Sequence, residues 1–246
     1  MNTNLCLVIS SLIVMPFCTG CFLVPDDALD DIKNELPQSK NTLRIDAIAD
    51  GSGKTHIIAC VADPVVCRDA EGPFSAAIGN GAGVNLPFVV DYTEGDGSAV
   101  GRFQGDLTGD AGESTITVTH KNDPKTASIA TLPPAATIVG PTEGTSISLA
   151  TDKIQLTWDS NGGTDPMSWS ATVECSSPVG EISATNIDDN GEVIIDPPKL
   201  NLTPGETCTV TLLLSRWRDG TIESAFQNNG LITAKQTRSV KISVTP

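Results

Sequence analysis

The sequence predicts an all-β protein: two consecutive antiparallel β-sandwich domains behind a signal peptide and a short acidic tether. Three observations carry this expectation. Short runs rich in Val, Ile and Thr alternate apolar with polar residues and are separated by Gly, Pro, Asn and Asp, while long helical periodicity is scarce. Pro133-Pro134 divides these runs into two groups. The seven cysteines also sort by position. Cys6 and Cys18 lie in an apolar N-terminal stretch and Cys21 follows it. Cys60, Cys67, Cys175 and Cys208 fall among the strands, an even set able to close two disulfides.

Leu5 to Phe17 is apolar apart from Ser10, Ser11 and Pro16, and no side chain is charged before Asp26. Thirteen residues are too few to cross a bilayer, which takes about 20, but they suit the apolar core of a secretory signal. The small pair Thr19-Gly20 then precedes Cys21. The string Phe17-Cys18-Thr19-Gly20-Cys21 resembles a bacterial lipobox. That resemblance implies a signal peptide over residues 1–20 and fatty chains on Cys21, which becomes the mature N-terminus. Each buried methylene contributes about 0.8 kcal/mol, so two or three chains anchor stably where one does not. Phe22, rather than Asp, follows the cysteine, which resembles the rule for sorting to the outer membrane.

Residues 21–40 read as an acidic tether, with a short helix over Asp26 to Leu36 that Pro37 stops. The first β domain spans residues 41–132. Its expected strands are Leu43 to Ala47, His56 to Val61, Phe74 to Ile78, Val84 to Tyr92, Ala99 to Phe103, Ser114 to His120 and Ala127 to Leu132. The Ser114 run alternates cleanly, so one of its faces is wet. Cys60 and Cys67 bracket an eight-residue ring whose closure would stabilise by roughly 2–3 kcal/mol. Four cysteines still allow three connectivities.

The second domain spans residues 135–246. Lys153 to Trp158 resembles the second strand of a fibronectin type III or related immunoglobulin-like sandwich, with Ile154, Leu156 and Trp158 pointing inward. Met167 to Cys175 is similar to the next strand, with Trp169, Ala171, Val173 and Cys175 on one face. Leu202 to Val210 resembles the corner before the penultimate strand, where the family carries a tyrosine and this chain has Cys208. The resemblance implies that Cys175 and Cys208 lie on neighbouring strands of one sheet, where a disulfide replaces the tyrosine's tie. The order of landmarks is also similar to a wider group of bacterial lipoproteins. These run from lipobox through acidic spacer, β domain and proline linker to a Trp-bearing sandwich. Arg216-Trp217-Arg218-Asp219-Gly220 and Gln236 to Val240 are the matching late pieces, and the resemblance implies no activity.

The formal net charge is −15, spread over both halves. Such a surface repels nucleic acid and anionic lipid, so nucleic acid is not an expected partner. Gly51-Ser52-Gly53-Lys54-Thr55 invites a phosphate-loop reading, but Ile48 stands where the motif needs its first glycine and a β run follows instead of a helix. It reads as a hairpin turn. His56 and His120, the two histidines, both fall in strands, and the chain contains no Gly-x-Ser-x-Gly elbow. With the thiols committed elsewhere, two histidines make no structural zinc site. No metal and no cofactor is therefore assigned.

Asp188-Asp189-Asn190-Gly191-Glu192, the group Asp91, Glu94 and Asp96, and the group Asp106, Asp110 and Glu113 offer oxygen donors of the kind calcium prefers. Trp217 faces outward if Cys208, Val210, Leu212 and Leu214 face inward. With Arg216 and Arg218 beside it, it is a candidate partner contact. The expected function is a lipid-anchored cell-envelope protein with a non-catalytic binding or structural role. Its partner would be an envelope protein or glycan. The alternative is a calcium-stabilised adhesion or matrix module. A pocket joining His56 or His120 to a carboxylate and a serine would favour an envelope hydrolase.

Overall fold

The structure is a computed structural model that describes residues 42–63, 66–67, 72–92, 99–121, 123–160, 163–175, 178–196, 205–226 and 230–246. The expected helix over Asp26 to Leu36 lies outside them, as do the lipobox and Cys21. The strands of the first half are β1 (Thr42–Ala49), β2 (Lys54–Asp63), β3 (Val66–Cys67), β4 (Phe74–Ile78), β5 (Val84–Leu86), β6 (Phe88–Tyr92), β7 (Ala99–Thr108), β8 (Thr115–His120) and β9 (Ala127–Thr131). Those of the second half are β10 (Ile138–Gly140), β11 (Ser146–Ser148), β12 (Ile154–Trp158), β13 (Met167–Glu174), β14 (Pro178–Ile187), β15 (Glu192–Ile195), β16 (Cys208–Asp219) and β17 (Leu231–Thr245). The all-β class predicted from the sequence is what forms.

Alternation decides which residues enter the core. Along β1, Leu43, Ile45, Ala47 and Ala49 are buried while Thr42, Arg44, Asp46 and Ile48 are not. The same period places Ile57, Ala59 and Val61 of β2 inside. The sheet β5-β4-β8-β9 faces them with Phe74, Ala76, Ile116, Val118 and Ala130. Fully burying an Ile, Leu or Phe stabilises by about 1.5–3 kcal/mol, and eleven such side chains among the described residues hold the two sheets together. A second core lies between β10-β12-β15 and the run β14-β13-β16-β17, three strands facing four. Ile154, Leu156, Trp158, Trp169, Ala171 and Val173 enter it, as the immunoglobulin-like pattern implies, and Met167 joins them.

One expected strand is divided. Val84 to Tyr92 reads as a single run, but Pro87 interrupts it. Proline offers no amide to a ladder, so β5 joins β4 and β6 joins β7 in the other sheet. The Pro87 carbonyl accepts from the Gln104 amide at 3.1 Å and marks the crossover.

The last two strands connect the cores. β16 and β17 form a long antiparallel ribbon registered from Cys208↔Val244 to Asp219↔Thr233. The early half of β17 pairs in parallel with β1, from Arg44↔Leu231 to Ala49↔Gln236, and its late half pairs in parallel with β11. Ile222, Ile232 and Ala234 therefore belong to the first core, whereas Val240, Ile242 and Val244 belong to the second. Residues beyond Pro133-Pro134 thus build part of the core formed by residues before it, although the sequence assigns them wholly to the second unit. Among the described strands, the pairings of β1 and β11 with β17 are parallel and the others antiparallel.

Candidate functional site

Two polar clusters lie on this scaffold. The first sits on the outer face of the sheet β1-β2-β7. Ile48, Asp50, Ser52, Lys54, His56 and Asp106 line a depression of about 250 Å³. Register brings them together, because Ile48 pairs with His56 and His56 with Asp106. The Asp106 carboxylate lies 2.8 Å from His56 Nδ1 and 3.5 Å from Lys54 Nζ. The hydrogen bond from His56 and, behind it, the charge of Lys54 hold the Asp106 carboxyl below the usual carboxylate range. Asp50 is lowered too, by hydrogen bonds from the Ser52 hydroxyl and amide.

Serine, histidine and aspartate do meet in one depression, the grouping that would favour a hydrolase. Their bonding is not that of a nucleophile with its base. The Ser52 hydroxyl is engaged by Asp50, and the side chains of His56 and Asp106 are 41% and 49% exposed. Acyl transfer needs the nucleophile on its base and an environment that excludes water. The Gly-Ser-Gly-Lys-Thr segment is indeed a hairpin turn. Its amides are spent on carboxylates, Ser52 N donating to Asp50 at 2.9 Å and Gly53 N to Asp110 at 3.0 Å. No phosphate cradle remains.

The second cluster gathers where β16 passes from one core to the other. Arg216, expected beside an exposed Trp217, is an interior residue with 1% exposure. Its guanidinium donates to Asp189 Oδ2 at 2.7 Å and to the Pro134 carbonyl at 2.9 Å. Asp189 also accepts from Trp158 Nε1 at 2.8 Å. Leu214, Ser215 and Arg216 are buried in succession, because both faces of the strand are covered there. The alternation that turns Cys208, Val210, Leu212 and Leu214 inward also turns Arg216 inward. That phase is the signal that locates it, and it outweighs the charge. Trp217 is half-buried, and its amide donates to the Pro166 carbonyl at 3.1 Å. Arg218 is partly exposed and grips two carboxylates, Asp165 at 2.7 Å and Glu113 at 3.2 Å. Those two, Asp165 first, raise the Arg218 pKa.

In the two proposed oxygen-donor groups that fall on described residues, carboxylates serve other partners. Asp189 serves Arg216 and Trp158, Asp106 serves His56 and Lys54, Asp110 serves Gly53, and Glu113 serves Arg218. Glu94, Asp96 and the side chain of Asp91 lie outside the described residues. Among the described residues no group of three or more His, Cys, Asp or Glu side chains is placed to hold a metal ion.

The cystine Cys175–Cys208 joins the end of β13 to the start of β16, where the immunoglobulin-like resemblance implies it. Cys60 is also disulfide-bonded, and the side chain of Cys67 lies outside the described residues. His120, expected as an ordinary sheet residue, is buried against Glu223 with Nδ1 to Oε1 at 3.3 Å. Sequence separation hides that pair.

No protein-family model and no curated protein sequence matches the chain. Among solved structures, the FN1-FN3 domains of chicken CNTN1 align over 84% of this chain and 68% of that one, at 9% identity and a TM-score of 0.23. CBD12 from CALX1.2 aligns over 81% of this chain and 97% of that one, at 6% identity and a TM-score of 0.20. These superpositions are too loose to bear on function, and the β-sandwich architecture rests on the chain's own sheets and cores.

Proposed function

We propose that the chain is a lipid-anchored protein of the bacterial cell envelope, displayed at the outer membrane, whose folded part binds or braces an envelope protein or glycan without catalysis. The observation that supports this best is the cystine Cys175–Cys208 at the edge of the second core. Disulfides persist in oxidising compartments and are rare where glutathione keeps thiols reduced. A chain braced in this way fits export, and the lipobox-like string ending at Cys21 fits both the route and the anchor. The polar clusters fit a non-catalytic role. One holds the two cores together, and the other is an open face on which Ser52 and His56 are bound to different carboxylates.

The anchor is tested by growing expressing cells with labelled palmitate. The chain takes up label, and Cys21→Ala abolishes it. Labelling that persists in Cys21→Ala removes the proposal.

A further inference from the structure

Arg216 and Arg218 project from the same side of β16 at the point where the two cores adjoin, and they reach different parts of the joint. Arg216 fastens the linker through the Pro134 carbonyl and the β14–β15 turn through Asp189. Arg218 spans the joint itself. Its Nε and Nη2 donate to Asp165, which precedes β13 of the second core, at 2.8 and 2.7 Å. Its Nη1 and Nη2 donate to Glu113, in the β7–β8 turn of the first core, at 3.2 and 3.3 Å.

That turn is held from two further directions. Gln236 Nε2 of β17 donates to the Asp110 carbonyl at 2.7 Å. Gly112 lies so close to the linker that a Cβ there would stand 3.0 Å from Pro134 Cα and 3.2 Å from the Pro133 carbonyl oxygen. Glu113 itself has φ 63, a left-handed backbone that favours Gly, Asn or Asp over a longer side chain. A glutamate is therefore held in an unfavoured conformation whose side chain ends on Arg218.

We propose that the β7–β8 turn, gripped by Arg218 through Glu113, is a strap that fixes the angle between the two sandwiches, so that the folded part presents both as one rigid body. The strap has an inner lock and an outer one. Arg216 and Asp189 are 1% and 6% exposed, whereas Arg218 and Glu113 are 33% and 61% exposed. Salt screens exposed charges far more than shielded ones. High ionic strength therefore releases the outer lock and leaves the inner one closed.

The test measures a distance distribution in the full chain between nitroxides attached at exposed Asn80, beyond β4, and exposed Ser183, on β14. Attachment through ketone-bearing residues spares the native cystines. Arg218→Ala leaves Asp165 without its partner and risks unfolding, so Glu113→Gly and Glu113→Asn are the primary variants. Both suit a left-handed backbone, keep the Arg218–Asp165 pair and lose the strap. The parent gives a narrow distribution at low salt, and both variants broaden it while the melting temperature is held or raised. About 1 M salt, where the screening length is about 3 Å, broadens the parent towards the variants and leaves the variants unchanged. A parent as broad as the variants at low salt overturns the proposal, and variants as narrow as the parent overturn it too and leave the joint to the β16–β17 ribbon and the Arg216 contacts.

Discussion

The two cores are stabilised by different materials. The first mixes small residues, with Ala47, Ala49, Ala59, Ala76, Ala130 and Ala234 buried, with branched aliphatics such as Leu43, Ile45, Ile57 and Ile116 and the phenylalanines Phe74 and Phe103. Phe74 and Phe103 lie 4.9 Å apart, and Phe88 and Phe103 5.0 Å apart. The second is filled by Trp158, Trp169, Met167 and a row of leucines, and a cystine closes its edge. Each, among the described residues, also encloses a pair of ionisable side chains. In the first core His120 meets Glu223, and the His120 ring stacks on Phe74 at 4.8 Å. In the second Arg216 meets Asp189. One member of each pair comes from the β16–β17 ribbon or the excursion between its strands. These ionisable side chains enter the interior along the segment that both cores share. Elsewhere in each core apolar contact holds the sheets together.

The sharpest way to break this comparison is to remove a buried charge. Arg216→Met leaves Asp189 buried without its cation and frees the Pro134 carbonyl. A loss of about 3–5 kcal/mol follows from breaking a buried pair on one side. Asp189→Asn in the same chain recovers part of that loss, because no bare carboxylate then remains. Thermal unfolding of the single and double variants measures both effects.

The cystine comes next. Its partners are separated by 33 residues, and replacing both by alanine costs roughly 3–4 kcal/mol on the loop-entropy account. Because β17 supplies both cores, the loss spreads to the first. Calorimetry of the doubly substituted chain shows one transition at a lower temperature, and two separated transitions would show that the cores unfold independently.

The smallest effect belongs to the outer face. Asp106 is depressed by His56, so its carboxyl titrates below the ordinary value of about 3.9, and His56→Ala moves the midpoint upward. The sign follows from linkage. The stabilising contribution of Asp106 is complete above the ordinary aspartate value and is lost as the pH falls through the lower folded one. Carbon-detected NMR of the Asp106 carboxyl reads the midpoint directly.

The strands were legible wherever alternation and turn residues agreed. The expected strand Phe74 to Ile78 matches β4 residue for residue, and Ile154, Leu156 and Trp158 point inward as the pattern implies. β14 and β15 are harder to read from alternation, because their described side chains are half-exposed or exposed along most of their length, which blurs the period. Arg216 is interior rather than exposed beside Trp217. Its position in the alternation already pointed inward, but the residue type suggested a surface. Asp189, its partner, lies 27 residues earlier, in a turn whose composition reads equally well as a loop or a cation site. The hydrogen bonds that distinguish those readings are long-range.

The sequence by itself determined the all-β class, the inward face of most strands and the chemistry available at each turn. These follow from local periodicity and from the conformational limits of Gly and Pro, which act within a few residues. Tertiary structure alone decided that β17 serves both cores, that Arg216 is interior and that Glu113 reaches Arg218. Each depends on segments far apart in the chain being brought into register, where burial and paired charge outweigh local preference.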